Sequence, residues 1–539
     1  MNTAQAIVNT FRIQGIERIF CLPGVQNDPF FDALYDLQDT MQPIHSRHEQ
    51  GTAYMALGAA LATGKPQVYC VVPGPGFLNS TAALATAYSC NAKVLALVGE
   101  IPSASIGKGF GLLHEIPDQL GVLRSLTKWA ERIEGPEAAA RLTREAFQQM
   151  LSGRPRPVGL ECPMDVWTQE AEVALPQAPI SVTPPPIDDD AVRQAARKLG
   201  HANKPLIVVG GGAQDASEEV QALAEMLQAP VIAFRNGRGV LDSRHELSHT
   251  LPAGHVLWRD ADVVLAIGTR LQPQQMSWGL DDALQIIRVD IDAEEMNRIA
   301  KPAVSLVGDA TGVLRRLLNV LPSHNQARPS RKDEMLALKA EMAARFAQLQ
   351  PQLSYIDAMR AELPEEGIFI DELTQVGYVS RFTLPVYQPR TFLSTAYQGT
   401  LGWGVATAIG AKLACPDKPV LSIAGDGGFM YNVQELSTAV HHHVPVVLVV
   451  FNDGAYGNVL RIQQQQFSGR TIASELTNPD FVKLAESFGV LGLKATTPAA
   501  LRQALRQAWA ANMPALIEVP CGEMPSPWEF TMLPRARPA

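Results

Sequence analysis

Short runs of β-branched and apolar residues alternate along this chain with segments whose apolar positions recur at helical spacing. Arg18 to Cys21, Gln67 to Val72 and Lys93 to Val98 read as strands between amphipathic stretches. A second group follows, PLIVVGGG, APVIAF, ADVVLAIG and LQIIRVDID, and then a third, GIFID, PVLSIAGDG and VPVVLVVFND, with a last strand–helix pair running to Val519. Such alternation predicts parallel sheets joined by crossover helices, an α/β fold.

Punctuation divides the pattern into three. After Trp167 comes PQAPISVTPPPIDDD, whose prolines cannot continue a helix or an interior strand and whose acidic end can cap a new helix. The second group ends near LNVLPSHNQARPS, and a charged helical stretch opens at Arg331. We therefore expect three parallel-sheet α/β domains over residues 1–172, 186–325 and 350–525. A length of 539 residues fits, because a single core does not grow that large.

Composition narrows the function classes. The chain is 46% hydrophobic and 18% charged, with a formal net charge of -9 and no basic stretch, so nucleic acid and anionic membranes are not expected partners. No window approaches the roughly 20 apolar residues of a membrane span, and the N-terminal segment has helical spacing instead of a signal-peptide pattern. Six scattered cysteines form no CxxC pair, which points to a reducing, cytoplasmic setting.

The chemistry shows itself in three segments. In PVLSIAGDGGFMYNVQELSTAVHHHVPVVLVVFNDGAYG, one strand ends at Gly425, Asp426, Gly427 and Gly428 and the next at Asn452, Asp453 and Gly454. Ligands gather at the carboxyl ends of parallel strands, so both aspartates would stand over one site. Hard oxygen ligands suit magnesium, and exposed glycine amides suit phosphates. A lone GDG is weak, since turns after strands use Gly and Asp for their backbone conformations; the spaced pair is stronger. The second segment, HSRHEQGTAYMALGAALATG, starts a helix of small residues at Glu49 that is apolar almost all round and therefore buried. Taken alone, Glu49 could be an acid favoured by the helix dipole. The third, STAYQGTLGWGVATAIGAKLACPDKPVL, is a glycine-rich turn leading into a tightly packed helix.

Together these segments resemble the thiamine-diphosphate-dependent 2-oxo acid decarboxylases and carboligases, acetolactate synthase-like members foremost and benzoylformate decarboxylase-like ones beside them. The resemblance spans essentially the whole chain and implies pyrimidine-binding, central and diphosphate-binding domains. It assigns the metal to Asp426, Asp453 and the carbonyl of Ala455, although Asp453 stands where the family more often has an amide. RHEQG followed by VVPGPGFLN makes Glu49 the acid that hydrogen-bonds N1′ of the aminopyrimidine. Leu401 matches the residue wedged between the cofactor rings and the Gly399 carbonyl the acceptor of its amino group. Thr374, Gln375, Gly425, Gly427, Gly428, Asn452 and Tyr456 fall among the remaining cofactor contacts. The family's active site lies between subunits of a homodimer or homotetramer.

Two positions differ from biosynthetic acetohydroxyacid synthases. His114 in GFGLLHEIPDQLG replaces a glutamine, and Ile462 in GNVLRIQQQQF replaces a tryptophan that selects the acceptor. With Val25 and Gln26 they imply a roomier substrate pocket, His114 being placed to act on the carbonyl oxygen. FAD, which binds the central domain of some relatives, is doubtful here, because GRGVLDSRHELSHT and GTRLQPQQMSWG depart from the flavin-binding patterns. His441, His442 and His443 point about 100° apart if helical, so they are not expected to converge on one ion and instead favour a helix C-terminus. The expected function is thiamine-diphosphate- and magnesium-dependent decarboxylation of a small 2-oxo acid with carboligation to a carbonyl acceptor. The alternatives are a non-oxidative decarboxylase, a sulfoacetaldehyde- or acyl-CoA-handling relative, and a catalytically silent scaffold.

Overall fold

The structure is a computed structural model and describes residues 1–538. It contains three six-stranded sheets in which all strand pairs are parallel. The first sheet comprises β1 (Arg18–Cys21), β2 (Gln42–His45), β3 (Gln67–Val71), β4 (Val94–Glu100), β5 (Ala130–Arg132) and β6 (Val158–Pro163), in the spatial order β2-β1-β3-β4-β6-β5. The second comprises β7 (Pro205–Val209), β8 (Val231–Ala233), β9 (Ser248–Thr250), β10 (Val263–Ile267), β11 (Gln285–Asp290) and β12 (Val304–Val307), ordered β12-β11-β10-β7-β8-β9. The third comprises β13 (Ile368–Ile370), β14 (Phe392–Leu393), β15 (Val420–Gly425), β16 (Val447–Asn452), β17 (Leu491–Lys494) and β18 (Ala515–Pro520), ordered β14-β13-β15-β16-β18-β17.

The first and third sheets thus share one strand order, and in each the chain reverses its direction of travel beside the first strand, between β1 and β3 and between β13 and β15. Such switch points leave a crevice at the strand ends where ligands bind. The apolar runs become central strands because both sheet faces are covered by helices: every residue of β7 and β10 is buried. Residues 171–188 form no helix or strand, and Asp188 then caps the helix Asp189–His201 by accepting from the amides of Asp190 and Ala191.

The first and third domains share a core. Helix Glu49–Thr63 crosses helix Gly404–Ala414 so closely that a Cβ on Gly58 would lie 2.1 Å from the Thr407 carbonyl oxygen and one on Gly410 1.9 Å from that of Met55. Small residues on both helices are what allow this approach, and Leu57, Val405 and Ile409 join the buried cluster around it. Arg154 ties the first domain to the central one through Asp290, Asp292 and Glu295 at 3.2, 3.3 and 3.2 Å. The C-terminal tail returns to the central domain, where Arg537 pairs with Asp281 at 2.9 Å. No helix among the described residues is long and apolar enough to cross a membrane.

Candidate active site

Glu49 opens its helix with His48 as the N-cap, whose ring nitrogen accepts from the Gln50 amide at 3.2 Å. Its carboxylate is buried, and Oε2 accepts from Asn79 Nδ2 at 2.9 Å. Asn79 lies one turn into the helix Pro75–Cys90, which starts just after β3, so two helix N-termini converge on this acid. Gly76 allows the approach: a Cβ there would lie 2.6 Å from Val72 and 3.5 Å from Glu49 Oε1.

His114 belongs to the same strand-end region. Its carbonyl oxygen would be 2.3 Å from a Cβ on Gly74, which has φ +58 and precedes the Asn79 helix. The loop holds His114 itself at φ +71, and its Nδ1 is buried without a partner. Gln26 Oε1 is likewise buried and unpartnered, in the turn after β1, where Val25 is 64% exposed. Each of these buried, unpartnered polar atoms is a place where a polar ligand would complete the hydrogen bonding.

The second cluster sits at the ends of β15 and β16. Asp426 is buried; its Oδ2 accepts from the Gly454 amide at 3.0 Å and from Asn478 Nδ2 at 2.5 Å. Asp453 Oδ2 accepts from Gln375 Nε2 at 2.8 Å. Burial first, and then the Asp426 carboxylate beside it, push the Asp453 carboxyl up from the ordinary carboxylate range to about 6. Neither aspartate has an ion-pair partner among the described residues. A buried carboxylate beside a half-buried one, with no cationic side chain to pair with either, is a donor set suited to a hard divalent cation, so the residues fit the magnesium the sequence implies. The glycines are needed for close packing: a Cβ on Gly427 would meet the Tyr456 ring at 2.6 Å, and one on Gly428 the Glu372 carboxylate at 2.0 Å.

Three expected residues have partners of their own. Gln375 donates its side-chain amide to Asp453 and to the Gly522 carbonyl, and its side-chain oxygen accepts from Met524 N and Arg461. Asn452 donates to Glu518 Oε1 and accepts from Asn478, and the Tyr456 hydroxyl meets that of Tyr431 at 3.2 Å. Thr374 stands at the start of the helix Gln375–Thr383 beside Gly425, without a side-chain capping bond. Gly399, at φ +60, and half-buried Leu401 lie in the turn before the helix Gly404–Ala414. Ile462 lies on the helix Gly457–Gln466 and is 36% exposed.

Sequence reasoning missed Asn478, Asn79 as the partner of Glu49, and Glu372. Asn79 was legible as the last residue of VVPGPGFLN, whereas Asn478 lies in a loop far along the chain with no local pattern. Glu372 accepts from the amides of Gly402 and Gly404 at 2.8 and 3.0 Å and so shapes the turn carrying Leu401; burial pushes its carboxyl up to about 7.

The histidine run requires a correction. Helix Leu436–His441 ends at the first of the three, so the helical spacing that would hold them apart does not apply beyond it. His441 and His442 converge with His45, each offering a ligand nitrogen within 4.8 Å of the others.

Comparison with known proteins decides the family. The N-terminal TPP binding domain of thiamine pyrophosphate enzymes matches residues 1–122, their central domain residues 192–317 and their C-terminal TPP binding domain residues 374–519. The probable acetolactate synthase large subunit of Methanocaldococcus jannaschii is 33% identical, with 96% of this chain and 92% of the relative covered. The chain belongs to the thiamine pyrophosphate enzymes. Other relatives are the probable 2-ketoarginine decarboxylase of Pseudomonas aeruginosa, 32% identical over 96% of this chain and 94% of its own, and the acetolactate synthase isozyme 2 large subunit of Escherichia coli, 30% identical over 98% and 97%. In this thiamine pyrophosphate enzyme a large cavity lies beside the central domain. Read from its other edge, the second sheet has the 3-2-1-4-5-6 order of dinucleotide-binding folds, and a cavity of about 1060 Å3 opens at its strand ends. Gly237 and the stretch Gly268–Gln274, from the two segments that depart from flavin-binding patterns, stand in its wall.

Proposed function

We propose that the protein uses thiamine diphosphate and magnesium to decarboxylate a small 2-oxo acid and to transfer the resulting acyl unit to a carbonyl acceptor, in a homodimer or homotetramer with active sites between subunits. The observation that carries this reading is the Asp426–Asp453 pair, whose mutual repulsion a divalent cation would relieve. Asp426, Asp453 and the Ala455 carbonyl would hold the metal, with Gln375 and Asn478 fixing the two carboxylates. Gly425, Gly427, Gly428, Thr374, Asn452 and Tyr456 would surround the phosphates. When bound, thiamine diphosphate supplies a carbon nucleophile and an electron sink for loss of carbon dioxide.

The remaining residues of the chain bind, orient and handle protons. Glu49, fixed by Asn79, would share a proton with N1′ of the aminopyrimidine. Gly399 and Leu401 would place the two rings against each other, on a turn that Glu372 shapes. Val25, Gln26 and Ile462 would line the substrate pocket, and His114 would hold a proton at Nδ1 for the carbonyl oxygen.

One observation favours the simpler decarboxylase as a second reading. His114 Nδ1 is buried without a partner, and a proton delivered from it in place of carbonyl addition would yield an aldehyde. A panel of 2-oxo acids, incubated with thiamine diphosphate and magnesium and analysed for carbon dioxide, aldehyde and hydroxyketone, separates the readings. Hydroxyketone is the expected main product when an acceptor is present; aldehyde alone selects the second reading, and no carbon dioxide from any donor defeats both. Ile462→Trp is expected to reduce activity with bulky substrates more than with pyruvate. The proposed chemistry needs no flavin; stoichiometric FAD released on denaturation would show that the central cavity serves a purpose outside it.

A further inference from the structure

One group of metal-competent side chains lies outside the proposed active site. His45 ends β2, the edge strand of the first sheet, while His441 and His442 end a helix of the third domain. The three rings meet edge to face, with centroids 4.5, 5.0 and 4.8 Å apart, and one nitrogen of each lies within 4.8 Å of the others. We propose that His45, His441 and His442 form a second metal site, for a zinc-class divalent transition metal, which fastens the first domain to the third.

The donor chemistry selects the ion. Three imidazoles without a carboxylate suit zinc, cobalt or nickel and disfavour magnesium or calcium, which take oxygen ligands. His442 Nε2 lies 3.1 Å from the His45 carbonyl, which can only accept. With the proton on Nε2, Nδ1 would be the ligand atom, and the bond would be the kind of outer hydrogen bond that metal-binding histidines make. Tetrahedral coordination with Zn–N of about 2.0–2.1 Å sets nitrogens roughly 3.3 Å apart, so the rings must close by up to about 1.5 Å. His45 and His441 are exposed and have room to do so. Arg47 opposes a cation, but its exposed side chain is screened by solvent. Water would fill the fourth position.

The segment that leads into the His441 helix also touches the residues just before the Glu49 helix. The Arg47 amide reaches the Glu435 carboxylate at 3.3 and 3.2 Å, and Glu435 immediately precedes the helix that carries His441. A metal here would stiffen that junction and raise the melting temperature by linkage.

The test uses full-length protein saturated with thiamine diphosphate and excess magnesium, titrated with Co2+. The expected result is one equivalent bound with intense visible bands of tetrahedral nitrogen coordination, displaced by Zn2+, together with a rise in Tm. His45→Gln and His441→Gln, tested separately, should each weaken Co2+ binding at least tenfold, and His443→Gln should leave it unchanged. Weak octahedral bands alone would mean exchange at the oxygen site and would overturn the proposal. So would equal Co2+ affinity in the parent and both variants. If a variant fails to fold, the spectrum of the parent decides.

Discussion

Glu49 and Glu372 are both buried carboxylates, and their partners separate their roles. Glu49 accepts one side-chain hydrogen bond from Asn79 at a strand-end crevice, whereas Glu372 accepts two backbone amides from the turn it supports. Glu49→Gln preserves the Asn79 contact, because an amide oxygen accepts as well, but cannot share a proton with N1′. Fold and cofactor binding are expected to persist while kcat falls by about 10²–10⁴; equal turnover would remove Glu49 from the mechanism. Glu372 is expected to show itself in the pH dependence of stability. Its folded carboxyl titrates at about 7 against an ordinary 4.5, so between those values the folded protein binds the proton that the unfolded chain releases. Its contribution is complete below about 4.5 and is lost as pH rises through about 7. Relative to Glu372→Gln, the cofactor-free parent should therefore lose stability between those limits, on the order of 3 kcal/mol. A Tm difference independent of pH would mean that Glu372 titrates normally.

At the level of elements, the helix crossing through Gly58 and Gly410 leaves no space for a methyl group, since the atoms in the way are backbone carbonyls. Gly58→Ala should destabilise the protein by about 1–3 kcal/mol, the range of overpacked cores. Gly135→Ala, where the nearest atom is 3.9 Å away, serves as control, and equal Tm values for the two variants would show that the crossing relaxes freely. The small-residue pattern of these helices was legible in the sequence, as were the central strands, because burial on both faces demands uninterrupted apolar runs such as PLIVV and VLVVF. Edge strands were not. β2 is QPIH and mostly exposed, and β17, LGLK, has no fully buried residue, so neither carries an apolar signature. The same limit hid the His45 cluster: its members are almost 400 residues apart, joined by an edge strand and a helix end that no local period announces. Asp426 and Asp453 were readable because they close two strongly apolar strands, whereas Asn478 acts from a loop.

At the level of the whole molecule, the two clusters are unequal halves of one proposed site. Within the chain no hydrogen bond among the described residues links the Glu49–Asn79 group to the Asp426–Asp453–Asn478 group. The first and third domains nevertheless share a strand order and a core, which suits two chains that pair so that the crevice of one first domain faces the crevice of the other's third domain. An isologous pair would then contain two identical sites, each using Glu49 of one protomer and Asp426 of its partner. Co-expression of Glu49→Gln with Asp426→Ala tests this directly. Each variant alone carries a defect in both sites. In a mixed dimer one site collects both substitutions, and the other collects none. Random assembly makes half of the dimers mixed, with half of their sites intact, so the co-expressed protein should recover about a quarter of the parent's activity. If Glu49 and Asp426 of the same chain served one site, every site would carry one substitution and co-expression would yield no more activity than the average of the two variants.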